Sequence, residues 1–97
     1  MAEPGLRLEG TQIVLDGDLN FDTVPSLLDP GLAFVRSGAQ SVDFSSVRSA
    51  DSAAVALSLA FVREAQSYDR SLAFTNLPSS VKNLAKLYGL ADLFPPA

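Results

Sequence analysis

The segment Val42 to Val62, VDFSSVRSADSAAVALSLAFV, constrains the chain more than any other. Ser41-Val42-Asp43-Phe44 has the composition of a short buried strand. The polar run after it, Ser45 to Ala50, reads as a loop. Asp51 and Ser52 stand where a helix N-terminus is expected. From Ala53 to Val62 nine of ten residues are apolar, Ser58 being the exception. A strand, a loop and a helix in this order carry the chain back across a sheet, the building step of an α/β domain.

At about 100° per residue the helix from about Ser52 to Gln66 separates into two faces. Leu57, Phe61, Ala54, Ala65, Val62, Val55 and Leu59 gather the large side chains on a broad arc, predicted to be core. Ser52, Ala53, Ala56, Ala60 and Arg63 occupy the other arc. Alanine is the best helix former, and propensity alone accounts for small residues there. The other reading is a contact surface, because a solvated helix would carry Lys, Glu or Gln on that arc and small side chains let a partner approach closely.

The remaining chain supplies the rest of one small sheet with helices. Residues 1–5 read as a loose end. Leu6 and Leu8 alternate with Arg7 and Glu9, and Ile13 and Leu15 continue the alternation beyond Gly10, giving two short strands around a turn. Asp16-Gly17-Asp18 reads as a break. Thr23 and Pro25 mark a helix start, Thr23 as the cap and Pro25 in the first turn, and Gly38 marks its end. Pro30 interrupts that helix, either as a kink or as the start of a second piece capped by Asp29. Ser71 to Thr75 is a further strand, Ser79 to Tyr88 a helix stopped by Gly89, and Leu90 to Phe94 a last apolar element ahead of Pro95-Pro96. The order is β-β-α-β-α-β-α, one domain over residues 1–97.

Composition removes whole classes of function. The chain has no cysteine and no histidine, hence no disulfide, no thiolate metal site and no imidazole base. Seven Lys and Arg stand against eleven Asp and Glu, a net charge of -4, which does not suit binding to a phosphate backbone. The N-terminus lacks the basic and apolar regions of a signal peptide, and the longest apolar run is too short to span a bilayer. A soluble cytoplasmic protein with no cofactor and no metal is expected.

Ser52 carries three readings. Asp51 or Ser52 caps the helix. A phosphate on Ser52 would be favoured by the free N–H groups and dipole of a helix N-terminus, and would add about two negative charges to an apolar surface. The unmodified hydroxyl can instead be the centre of a partner interface. Nucleophilic catalysis lacks a base, since Lys82 and Lys86 are the only lysines and there is no histidine. Asp43 and Asp51 as a catalytic carboxylate pair are disfavoured against simple roles, Asp43 bonding the amides after its strand and Asp51 capping the helix. The chain is therefore not expected to be an enzyme.

Asp43-Phe44-Ser45-Ser46-Val47, followed by Ala50-Asp51-Ser52-Ala53-Ala54, resembles the signature of the STAS domain family, the anti-sigma-factor-antagonist fold. That resemblance implies a mixed sheet of about four strands flanked by three to four helices, from about residue 6 to residue 94. Val81 to Leu90, VKNLAKLYGL, is similar to the MlaB branch of that family, which serves phospholipid ABC transporters. The branch implies a non-catalytic cytoplasmic subunit, peripheral on the inner membrane, in a complex that maintains outer-membrane lipid asymmetry. Its partner would be the ABC ATPase subunit, met through Asp51, Ser52, Ala53, Ala56, Ala60 and Arg63. No nucleic acid, membrane insertion or small-molecule substrate is implied. Serine at 52 also matches the antagonist branch, where this residue is phosphorylated to switch partners. Ala53 and Ala54 stand where the family often has glycine.

Overall fold

Alternating side chains at both ends of the sheet and an apolar helix between them assemble as the order of elements predicts. The computed structural model describes residues 5–95, so the expectation of a loose end at residues 1–4 lies outside it. Gly5 already belongs to a strand. The elements are β1 (Gly5–Glu9), β2 (Gln12–Leu19), α1 (Val24–Ser37), β3 (Ser41–Ala50), α2 (Ser52–Gln66), β4 (Ala73–Thr75) and α3 (Ser79–Leu87), then a 3-10 turn at Ala91–Leu93. The strands form one mixed sheet in the order β1-β2-β3-β4. β1 is antiparallel to β2, while β2, β3 and β4 run parallel. This is the predicted mixed sheet of four strands.

Register decides which residues meet the helices. Leu8, Ile13, Val42 and Phe74 are successive cross-strand partners, and Leu6 pairs with Leu15. Period-2 alternation puts these on one face. Ile13, Leu15, Val42 and Phe74 are buried in the core with Leu57 and Phe61 of α2. The opposite row runs Arg7, Val14, Asp43, Thr75 and is largely polar.

Two strands run longer than the sequence pattern suggests. Asp16-Gly17-Asp18 does not end β2, and Ser45 to Ala50 is strand and not loop. The reason is two irregularities in the β2–β3 ladder. Between the pairs Val14–Asp43 and Asp16–Ser46, β3 holds Phe44 and Ser45 against Leu15 alone, and between Gly17–Val47 and Asp18–Ser49 it holds the extra residue Arg48. Each bulge lets two residues oppose one and resets the side-chain phase. The inward residues of β3 thus become Val42, Phe44, Val47 and Ala50, and no alternation survives in the sequence. Gly17 adopts φ 84°, a conformation that glycine takes without steric cost.

α1 is a single helix. Pro30 lies inside it and no second cap forms at Asp29. Pro25 sits in the first turn as predicted, but the Thr23 side chain does not cap. Its hydroxyl donates to the Asp18 carbonyl at 2.7 Å and accepts from Asn20 N–H at 2.9 Å. Gly38, at φ 123°, closes the helix by donating to the Val35 carbonyl. Where α1 crosses α2, Gly31 has no room for a side chain, because a Cβ there would overlap the Phe61 ring. α2 packs against α1, α3 and the sheet at once. That central place accounts for most of its apolarity.

Candidate functional site

Parallel strands put the loops that follow them on one edge of a sheet, which is where α/β proteins collect functional groups. Here the edge gathers the β2–α1 turn, the β3–α2 junction and the start of α3. Asp51 N–H donates to the Leu19 carbonyl at 3.2 Å, tying the first two together. Ser80 Oγ donates to the Ala50 carbonyl at 3.2 Å, tying in the third.

A single residue, Asp51, separates β3 from α2. Its backbone is extended and its carboxylate accepts from Ala53 N–H at 2.8 Å, so Asp51 is the helix cap. Ser52 is the first helical residue. It is half-buried, and its hydroxyl makes no hydrogen bond to another described residue. Of the two capping candidates, the structure uses Asp51 and leaves Ser52 Oγ free.

The predicted contact arc is narrower than the sequence suggests. Ala56 and Arg63 are exposed, Ala60 is half-buried, and with Ser52 they follow one another along α2 at helical spacing. Ala53 does not belong to this strip. It is 2% exposed although at about 100° per residue it lies about 20° from Ala60 and about 40° from Leu57, at the edge of the strip, where neighbouring elements cover it. Leu59, read as core, is instead only partly buried and borders the strip. Ser58 is buried, its hydroxyl donating to the Ala54 carbonyl at 2.9 Å.

Sequence reasoning missed Phe21. It is 72% exposed at the tip of the β2–α1 turn. The turn is locally fixed, since Asn20 Oδ1 accepts from Asp22 N–H at 2.9 Å and from Thr23 N–H at 3.1 Å. A large aromatic held out on a turn of this kind has little conformational freedom to lose on binding, and such residues dominate interfaces. The turn-forming run Asn20-Phe21-Asp22-Thr23 around an aromatic was the available signal.

Asp43 lies on the polar row of the sheet. Its Oδ1 accepts from Thr75 Oγ1 at 2.9 Å, Asn76 Nδ2 at 2.8 Å and Ser45 N–H at 3.2 Å, while Oδ2 accepts from Ser45 Oγ at 2.6 Å. Burial pushes this carboxyl up, but the hydrogen bonds from Ser45, Asn76 and Thr75 outweigh it and hold the group below the usual carboxylate range. A carboxylate so fully donated to is a structural anchor for the β3–β4 pair and not a proton acceptor, and Asp51 is occupied at the cap. Asp18 is likewise held low, first by Arg48 and then by Ser49, both of which donate to it. Among the described residues no group of three acids converges as metal ligands would. No helix among them is long and apolar enough to cross a membrane.

Comparison with known proteins agrees with this geometry. The family model described as MlaB, STAS domain, matches residues 4–95. No curated protein matches the sequence. Among solved structures, the anti-sigma factor antagonist SpoIIAA in its unphosphorylated form superposes with a TM-score of 0.72 at 20% identity, covering 97% of this chain and 87% of that one. Bacillus SpoIIAA in its phosphorylated form gives 0.69 at 19% identity, over 97% and 90% of the two chains. A STAS domain protein from Planctomyces limnophilus gives 0.73 at 16% identity, over 100% and 90%. At these identities the likeness establishes the fold. The family match over nearly the whole length establishes membership: the chain belongs to the MlaB-type STAS domain family.

Proposed function

We propose that the chain is a partner-switching protein of the anti-sigma-factor-antagonist kind, whose contact surface centres on Ser52 and is released by phosphorylation of that residue. The observation that carries this is the division of labour at the start of α2. Asp51 makes the cap, so the Ser52 hydroxyl is free for a kinase without loss of the helix N-terminus. Phosphate would add a charge of roughly -1.5 to -2 beside a contact strip of Ala56 and Ala60. The exposed carboxylates of Asp51 and Asp22 already occupy the adjoining turns, so a partner tolerant of the hydroxyl would meet a strongly anionic rim after modification. Phe21 supplies the aromatic anchor on the neighbouring turn. SpoIIAA, an antagonist solved in both phosphorylation states, shares the fold and so supports the reading.

A second reading follows from the family match and from the Val81 to Leu90 segment. In it the same surface binds the ATPase subunit of an ABC-type phospholipid transporter on the inner membrane, and Ser52 stays unmodified. The two readings share a site and differ in partner and chemistry.

One experiment separates them. Tagged wild type, Ser52→Ala, Ser52→Asp and Phe21→Ala are captured from native cells with mild detergent. Bound proteins are identified, and Ser52 is assayed for phosphate by mass spectrometry. A kinase-like anti-sigma factor retained by wild type and Ser52→Ala, lost with Ser52→Asp and Phe21→Ala, together with phosphate on Ser52, is the expected result. Capture of an ABC ATPase and its permease, with Ser52 free of phosphate under all growth conditions, moves the protein to the second reading.

A further inference from the structure

Lys82 and Lys86 form no ion pair with any described residue. They stand one turn apart on α3, where like charges repel. Both line a cavity of about 300 Å³ under α3. Its apolar lining includes Phe74, Leu77, Ala85 and Phe94. Phe94 meets Phe74 edge-on, with ring centroids 5.0 Å apart, and the small side chain of Ala85 lines the same cavity. Asn76 also reaches the cavity, with one of its two amide N–H groups donated to Asp43. Among the described residues two acids adjoin the lining, Asp43 through its hydrogen bond to Asn76 and Asp92 next to Ala91 in sequence, and neither pairs with a lysine.

The geometry points to a binding site for a single-chain anionic amphiphile, with its hydrocarbon in the slot and its head group between Lys82 and Lys86. Small-molecule sites are apolar clefts with a few charged groups that fix orientation, and this volume lies at the small end of their range. Both lysines are exposed as well as lining, so their stems can extend the apolar wall while the ammonium groups stay in water. An anion placed between them also removes the repulsion along α3. The site shares no residue with the Ser52 surface, although Lys82, Ala85 and Lys86 belong to the Val81 to Leu90 segment that supports the second partner reading.

The test titrates the isotope-labelled chain with decanoate and, separately, with decanol, below micelle-forming concentrations, following backbone amide shifts. Saturable shifts at Leu77, Ala85 and Phe94 are expected, with decanoate binding about tenfold more tightly than decanol. Lys82→Gln with Lys86→Gln removes that advantage and leaves decanol binding unchanged. Ala91→Phe narrows the slot and abolishes both, while the dispersion of the remaining amide signals reports an intact fold. Shifts scattered over the surface overturn the proposal. So do equal affinities for the two compounds, or a response confined to phosphatidylglycerol vesicles or to polyglutamate.

Discussion

Replacing Asp51 and Ser52 one at a time by alanine separates the cap from the switch. Asp51 Oδ1 accepts the Ala53 N–H at 2.8 Å, and that donor is only partly exposed. Loss of a side-chain cap costs about 0.5–2 kcal/mol, and the partial burial of the donor places Asp51→Ala in the upper half of that range. In a 97-residue chain each kcal/mol lowers Tm by about 4–8 °C. Ser52→Ala removes no hydrogen bond and puts the best helix former at the first helical position, so its effect stays within about 0.5 kcal/mol of zero. Urea unfolding at neutral pH, with thermal melts in parallel, reads both. Equal losses for the two variants, or a stable Asp51→Ala, would mean that the hydroxyl shares the cap. Phosphorylation would then act by fraying α2, and the separation of switch from scaffold would fail.

Two further predictions concern the scaffold. Gly31→Ala drives a methyl into the Phe61 ring and close to Leu6. Overpacking of about 1–3 kcal/mol, less the roughly 1 kcal/mol that alanine gains over glycine in a helix, leaves a net loss of up to about 2 kcal/mol in urea unfolding, and a raised midpoint, the full helix gain with no packing cost, would refute the close crossing of α1 and α2. Asp43→Asn is expected to cost about 1–2 kcal/mol at neutral pH, since the ionised acceptor of the Ser45, Thr75 and Asn76 donors is lost. Because the folded carboxyl is held below its unfolded value of about 3.9, the stability it confers is complete above that value and is lost as pH falls through the folded one. The difference between wild type and variant should therefore shrink in acid, and a difference that grows below about pH 4 would contradict the assignment.

Local chemistry was legible wherever one residue type sufficed to specify it. Asp51 as cap, Gly38 as helix stop and Asp43 as anchor for its following amide all stand in the structure as the residues imply. The length of β3 was not legible, because its polar run satisfies strand pairing only through bulges, and bulges depend on the partner strand. β2 continues through Asp16-Gly17-Asp18 because pairing with β3 along all three residues, joined by β1 at Asp16, overrides a local turn preference. Pro30 left two outcomes open, and tertiary packing of a continuous α1 chose between them. Ala53 was misplaced because a helical projection gives angles and not neighbours. Only the shoulder residues of an arc change sides when the flanking helices arrive, and Ala53 is one of them.

The same packing changes what the apolar helix implies. α2 is apolar because the sheet, α1 and α3 cover it on three sides, so its composition is no measure of a docking surface. What remains to mark a contact is the uncovered strip of Ser52, Ala56, Ala60 and Arg63 with Phe21 beside it. Confinement also sets how a modification at Ser52 can act. A helix held on three sides by a close-packed core does not shift continuously in response to a surface charge. A phosphate there would leave α2 in place and change only what its exposed end presents: more charge, more volume and a desolvation cost for any partner that covers it. A switch built this way reads out as lost binding with little change in the amide signals of Leu57 and Phe61, and Ser52→Asp compared with wild type by such signals tests it directly. Widespread core shifts in that variant would show that the strip and the core are coupled, and that the switch works through the fold.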